Sequence, residues 1–496
     1  MLQSAMSRIE PGTAGQSLLA DRGDDESRLR RTVIAGPGGP VDVGDTMLGG
    51  ALAAVADEAV ITAGLATAGH TDKRRRVLTG LVTVTAVLGL CLFRRESYDL
   101  VLARVLPASP ARVLDGGPPT AQALSTARAR LDPNSMQAVF ERAAAVMPAA
   151  GAGSYAFGLL LTAFDGTVID LPATGDIAAE YATPSGGNYP QARLVTLVTC
   201  GTRWIIAAAQ DCSARSEQHL VDRLADALQP GTLNLADRNF FSMARWIRFT
   251  ATSAHLAWRV KNGAKSLPAR IIRVLPDGSA LLRLRESDSM LCYRRTKTGD
   301  TSLARLPDTI ARLVEFTLTV TDQTGKARTT RFRILTTLLD HEQYPAEKIA
   351  QTYAQRWQVE IIYLRLKATL RESGTRLRGQ TPRLAEQEIY GLLIVYNALV
   401  RLAVAAAVIL DVDPDEINFA AVLALTRATT SPGCARCGHT TDNPTEDLIT
   451  AITVQPRNRT DRQRTSPRTT AQRRTERTRN VRYAITIVTP NLPKTD

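Results

Sequence analysis

The hydrophobic period changes near residue 150, and that change restricts the chain to a helical segment followed by an α/β one. From about 46 to 148, alanine- and leucine-rich stretches recur with helical spacing, broken at Pro107, Pro110 and Gly116-Gly117-Pro118-Pro119. Beyond it, Leu159-Leu160-Leu161 and residues 193–199 and 204–209 are short β-type runs separated by turn residues. Residues 216–228 are amphipathic and helical, and Leu233-Asn234-Leu235 leads into Ala236-Asp237 as another strand. Alternating runs at 269–275, 280–284, 313–320 and 330–334 predict a β-rich block, after which helical spacing resumes at 345–370 and 384–409. The expected division is a flexible, Gly- and Pro-rich lead over 1–45 and a helical N-terminal domain over 46–148. An α/β core over 149–254 and 337–410 follows, interrupted by a β-rich insertion at 255–336. A basic, largely disordered tail over 411–496 completes the chain.

A length of 496 residues implies several domains, and the 44% apolar and 22% charged fractions are those of an ordinary globular chain. Lysine and arginine outnumber the acids by 61 to 48, a formal net charge of +13, which favours a polyanionic partner through counterion release. The excess is concentrated between 457 and 482, where ten arginines face two acids. Such a tail either binds nucleic acid non-specifically or is simply solvated. Six scattered cysteines and a start without a charged, apolar leader fit a reducing cytosol, so a cytoplasmic protein is expected. The apolar run 77–93 between arginine clusters has about the minimum length of a membrane span, but its three threonines and two glycines favour a buried helix. No membrane association is expected.

Tyr353, Arg356, Glu360 and Lys367 are spaced so that, at about 100° per residue, they fall within roughly 60° of one another on a helix. A carboxylate flanked by a guanidinium, an ammonium and a phenol suits a divalent metal in contact with phosphate, although charged helix faces are ordinarily just solvated. Two acids upstream shift the balance. Asp165 ends the apolar run 159–164 and is followed by Gly166, which permits close approach; Asp237 follows the short strand Leu233-Asn234-Leu235. Singly, each reads as an ordinary turn aspartate. With Glu360 they supply three carboxylates from separate segments, a set able to hold two Mg²⁺ ions roughly 3.5 to 4 Å apart, one activating a water or 3′-hydroxyl and one stabilising the leaving oxygen.

On these residues the chain resembles the IS4 group of bacterial insertion-sequence transposases of the DDE type over about 46–410. The matching segments are residues 92–101, Asp165-Gly166-Thr167 with Asp170-Leu171-Pro172, Ala236-Asp237-Arg238 with Phe241-Ser242, and the 353–367 signature, preceded by Leu338-Leu339-Asp340 and Tyr344-Pro345-Ala346. The resemblance implies a ribonuclease-H-like core split by a β-rich insertion, and an enzyme that cleaves and joins double-stranded DNA at transposon ends and target. It further implies Asp165, Asp237 and Glu360 as ligands of Mg²⁺, with Mn²⁺ able to substitute, and Tyr353, Arg356 and Lys367 as contacts to DNA phosphates. A homodimer bridging two ends is implied as well. Trp258, placed in the insertion, is a candidate to stack on a flipped base, the alternative being a core tryptophan.

Ala173 stands where the family often has an acid, and Asp170 is a second candidate for the first ligand. Cys434, Cys437 and His439 begin like a zinc site but are one ligand short. The chain has no Gly-rich phosphate loop of the ATP-binding kind. The rival readings are a transposase-derived DNA-binding protein without catalysis and, further off, a sugar hydrolase using a carboxylate pair.

Overall fold

In the computed structural model the described residues are 49–73, 78–105, 119–263, 267–321, 327–372, 375–429, 444–458 and 482–493. The lead 1–45, the cysteine pair Cys434/Cys437 with His439, and most of the arginine-rich tail lie outside them.

Six helices open the fold: α1 (Gly49–Ala56), α2 (Glu58–Thr67), α3 (Gly80–Leu92), α4 (Tyr98–Val105), α5 (Ala121–Arg130) and α6 (Ser135–Ala144). Asp57, Thr79 and Thr120 cap α2, α3 and α5 by accepting from the backbone N–H three residues on, which satisfies donors a helix start leaves unpaired. The apolar run that resembled a membrane span is α3, and all of it except Leu81 is buried.

The strands are β1 (Tyr155–Ala156), β2 (Leu159–Asp170), β3 (Gln191–Thr199), β4 (Ile205–Cys212), β5 (Thr232–Ala236), β6 (His255–Arg259), β7 (Ala269–Val274), β8 (Ala280–Leu284), β9 (Thr309–Thr321), β10 (Ala327–Thr336) and β11 (Arg482–Ile487). Between them run α7 (Gly175–Glu180), α8 (Glu217–Asp222), α9 (Met243–Thr250) and α10 (Asp288–Thr298). After β10 come α11 (Ala346–Tyr353), α12 (Gln358–Leu364), α13 (Pro382–Leu410), α14 (Phe419–Thr429) and α15 (Pro444–Thr453).

One mixed sheet carries the fold in the order β4-β3-β2-β5-β6-β10-β9-β8-β7. The strands β2, β3 and β4 are antiparallel, β5 and β6 run parallel to β2, and β10 returns antiparallel to β6. Side chains alternate across the pleat. Leu161, Ala163, Leu233, Leu235 and Ala257 face the first core, with the N-terminal helices and α13; Phe164, Ala236, Leu256 and Trp258 face the second, with α8 and α9.

The spine of the first core is α13, a 29-residue helix capped by Thr381 with Pro382 in its first turn. Its length and hydropathy would suffice to cross a bilayer, yet 78% of its most apolar window is buried within the protein. Gly391 lets α13 close on α3, since a Cβ there would lie 2.9 Å from Cys91 Sγ.

Two expected boundaries differ from what forms. The block expected to be an insertion from 255 begins with β6, an interior strand bonded to β5 on one side and β10 on the other, so the departure from the core starts only after Arg259. Five-residue alternation does not reveal which strand will be its neighbour. The tail from 411 contributes α14, α15 and β11, the last pairing with the second half of β9 while β8 pairs with the first half.

Candidate active site

Asp165 lies in the middle of β2, where the pairing with β3 continues to Asp170. The parallel pairing of β2 with β5 aligns Ala163 with Leu235, and two residues on, the same register sets Asp165 beside Asp237. Asp237 therefore leaves β5 on the pleat face that Asp165 occupies, the face shared with Leu161, Ala163, Leu233 and Leu235. Asp170, five residues further, points to the other face and lies roughly 17 Å along the strand. It accepts from Gln191 Nε2 at 2.8 Å and cannot substitute for Asp165. Gly166 is required on the opposite face, where a Cβ would meet Glu217 Oε1 at 2.7 Å.

The segment carrying Glu360 crosses this face, but not as one regular helix. The α-helix α11 tightens to a 3₁₀ turn over Ala354–Trp357, resumes as α12, and widens to a π turn over Arg365–Leu370. Tyr353 and Arg356 stay in contact across the first of these changes of pitch. Tyr353 is buried and its hydroxyl donates to the Ala236 carbonyl at 3.1 Å, one residue before Asp237. It ties the helix to β5 and is not available to a DNA phosphate, which corrects the expectation. Arg356 is buried as well, with Nη1 3.8 Å from Asp165 Oδ2. Burial opposes its charge, but Tyr353, Asp165, Asp237 and Glu360 outweigh it and hold the guanidinium protonated. In this arrangement Arg356 neutralises acids rather than reaching outward to phosphate. Glu360 is exposed, and Lys367, half-buried on the π turn, donates to Thr167 Oγ1 at 3.2 Å.

Two residues that helix-face spacing did not bring forward complete the arrangement. The Tyr363 hydroxyl donates to the Asp165 carbonyl at 2.5 Å and lies 2.9 Å from Thr196 Oγ1, which then serves as its donor. Arg259, at the end of β6, places Nη1 3.7 Å from Asp237 Oδ1 and its guanidinium carbon 4.4 Å from the Phe332 ring centroid. Only the strand register brings Arg259 to Asp237, and register is what a single sequence withholds.

Burial dominates the electrostatics of the site, even with Arg356 and Arg259 beside the aspartates. Burial pushes the Asp165 carboxyl up from 3.8 to about 6, with Glu360 and Glu217 adding to the push and Arg356 and the Gly166 N–H opposing it. Asp237 Oδ1 is buried and accepts no hydrogen bond. A buried carboxylate oxygen without a hydrogen bond, held by the longer Arg259 ion pair and lying beside a desolvated carboxyl, is the environment that a hard cation with oxygen ligands would relieve. Among the described residues no three acids, histidines or cysteines are gathered closely enough to surround one ion; Arg356 lies within reach of all three acids, and Glu360 faces solvent. The two aspartates are thus in place, and Glu360 acts on them at the range of its charge.

Trp258 is fully buried on β6, its Nε1 donating to Asn234 Oδ1 at 2.9 Å and its ring edge-on to Trp246 and Phe249. It is a core residue of the sheet and not a base-stacking residue of the insertion. Trp258→Ala is expected to lower stability by about 3–5 kcal/mol in urea unfolding. A variant of wild-type stability with a defect confined to DNA processing would return Trp258 to the site.

Residues 48–141 match the family described as insertion element 4 transposase N-terminal, and residues 156–398 match the family described as transposase DDE domain. The transposase InsG for insertion sequence element IS4 of Escherichia coli (strain K12) is 28% identical over 350 residues, covering 69% of this chain and 73% of that protein. Among solved structures, the piggyBac transposase synaptic complex with hairpin DNA aligns over 81% of this chain and 84% of its own, at 9% identity and a TM-score of 0.41. The motif order, the paired aspartates and the two consecutive family matches agree: the chain belongs to the IS4 family of DDE transposases.

Proposed function

We propose that this transposase binds the terminal inverted repeats of its element, hydrolyses the phosphodiester at each tip and joins the freed 3′-hydroxyls to target DNA. The DDE family implies a divalent cation, and Mg²⁺, with Mn²⁺ as substitute, is the proposed ion. Asp165 and Asp237 would hold it from neighbouring strands, and Glu360, which faces solvent here, would have to turn toward them to complete the set. Bound there, it would lower the pKa of the attacking water or 3′-hydroxyl and stabilise charge on the leaving oxygen.

The observation that carries the reading is the register of Asp165 and Asp237 on neighbouring parallel strands, with Asp237 Oδ1 accepting no hydrogen bond and meeting the Arg259 guanidinium at 3.7 Å. Three antiparallel strands followed by two parallel ones, in the order β4-β3-β2-β5-β6, support a ribonuclease-H-like core. The protein's own groups divide the remaining work. Tyr353 and Tyr363 fix the helical segment to β5 and to β2 on either side of Glu360 in the sequence. Arg356 balances their charge until the cation enters, and Lys367 steadies a phosphate beside Thr167. A homodimer is proposed, because both ends must be cut and joined together, and a cytoplasmic location follows from the same use.

The test is cleavage of DNA carrying the repeats that flank the gene, with Mg²⁺ or Mn²⁺, by wild type and Glu360→Gln. Metal-dependent cuts at the repeat tips, lost in the variant, are expected. Binding without cutting by both proteins would favour the non-catalytic reading, and absence of binding would remove the proposed substrate.

A further inference from the structure

Beyond the acids, the segment that carries Glu360 continues alongside β2 and sets out cations in step with that strand. Lys367 contacts Thr167, two residues past Asp165 on the same pleat face. Four residues later Arg371 is buried opposite the charge of Asp170, and its Nε and Nη1 have no hydrogen-bond partner. Past the end of the β2–β3 ladder, where the Leu171 N–H donates to the Pro190 carbonyl at 2.9 Å, stands Tyr189. Arg376 is exposed, its guanidinium carbon 3.7 Å from the centroid of that ring, with Nη2 also donating to the Tyr189 hydroxyl.

Two features separate this row from an ordinary solvated basic face. Arg371 keeps a charge inside the protein with two donors unmet, an arrangement that an incoming anion would relieve. Arg376 is an exposed guanidinium held in advance by contact with the Tyr189 ring and its hydroxyl, so its fork loses little freedom on meeting a phosphate. Of the other nearby acids, Glu372 is committed to Arg95 and Arg427, and Glu388 to Arg94 and Arg128, which leaves Asp170, itself accepting from Gln191, as the acid that Arg371 feels.

We infer that Arg371 and the Tyr189-stacked Arg376 form a phosphate track that carries one DNA strand away from the acids along β2. This rests on the proposed reading that the substrate is duplex DNA. The strand from Asp165 to Asp170 spans roughly 17 Å. At about 3.4 Å per nucleotide along each strand of a duplex, the track meets the backbone some five nucleotides from the cut.

The measurement is equilibrium binding of a duplex carrying the terminal repeats as a function of salt, for wild type, Arg371→Gln, Arg376→Gln and the double variant. Each lost phosphate contact flattens the plot of log K against log salt by about 0.9, so the double variant should flatten it by about 1.8. Arg376 is exposed, so Arg376→Gln should melt with wild type and carries the test even if Arg371→Gln fails to fold. Unchanged slopes in variants of a wild type that binds the repeats would overturn the track and leave the substrate assignment standing. An equal flattening by Arg142→Gln, on α6, would reduce the effect to bulk charge and overturn it too. A wild type that does not bind the duplex would sink the track together with the substrate assignment.

Discussion

Asp165→Asn is expected to abolish cleavage and yet to leave the metal-free protein more stable than wild type at pH 7.5. The carboxyl is pushed up to about 6 in the fold by burial, against an ordinary 3.8. A raised acid pKa means that the folded state holds the proton more tightly than the unfolded one. The stabilisation is complete below about pH 4 and is lost as pH rises through 6. At roughly 1.4 kcal/mol per pKa unit the loss is on the order of 2–3 kcal/mol at neutral pH, with the Asp165 side chain only 22% exposed. Asparagine has no such titration. Urea unfolding in a chelating buffer should find the two proteins alike near pH 4 and the variant ahead at pH 7.5. A less stable variant at pH 7.5 would mean that the contact with Arg356 outweighs desolvation. Cleavage with Mg²⁺ should fall at least ~1,000-fold, because a ligand to the cation contributes several kcal/mol of charge stabilisation. A variant that cuts within tenfold of wild type would remove Asp165 from the ligand set.

Glu388→Ala is expected to cost about 3–5 kcal/mol, enough to unfold a domain of ordinary stability. Glu388 lies within α13 and is wholly buried, yet it receives Arg94 Nη1 at 3.0 Å, Arg128 Nη2 at 3.1 Å and the Arg378 N–H at 2.8 Å. Burial opposes its charge, but Arg128, Arg94 and those hydrogen bonds outweigh it and hold the carboxyl below its ordinary 4.5. Arg128 is itself fully buried and also donates to Tyr98, the Leu384 carbonyl and Gln387. Removal of Glu388 leaves two buried guanidiniums uncompensated where the N-terminal helices meet the spine helix. Urea unfolding within 1 kcal/mol of wild type would show that water reaches these cations.

The site was legible where chemistry coincides with the end of an apolar run. Asp165 and Asp237 stand out because hydrophobic strands carry the chain to them, and Glu360 because it sits in a spaced signature; the sheet register then sets the two aspartates side by side. What the signature could not convey was direction. Projection at a constant 100° placed Tyr353, Arg356, Glu360 and Lys367 on one face, whereas the segment changes pitch at Ala354–Trp357 and again at Arg365–Leu370, with Tyr353 and Arg356 buried and Glu360 exposed. Neither turn has a reliable sequence signal. Trp258 and Arg259 were obscured for another reason: β6 is a five-residue strand whose two neighbours come from residues 232–236 and 334–336. Pairing partners of that kind are set by packing of the complete sheet, as is the place that β11 finds on β9.

The last of these pairings bears on how the polypeptide emerges from the ribosome. The second half of β9 is bonded on one side by β10, its neighbour in sequence, and on the other by β11, about 160 residues downstream. At roughly 5–20 residues per second, that flank stays open for some 10–30 s of synthesis. During that interval it offers a row of unpaired N–H and C=O groups, which is a template for self-association. Chains that stop short of residue 482 would carry the open flank permanently. They would accumulate as aggregates rather than as trimmed enzyme, even though all three acids are present in them.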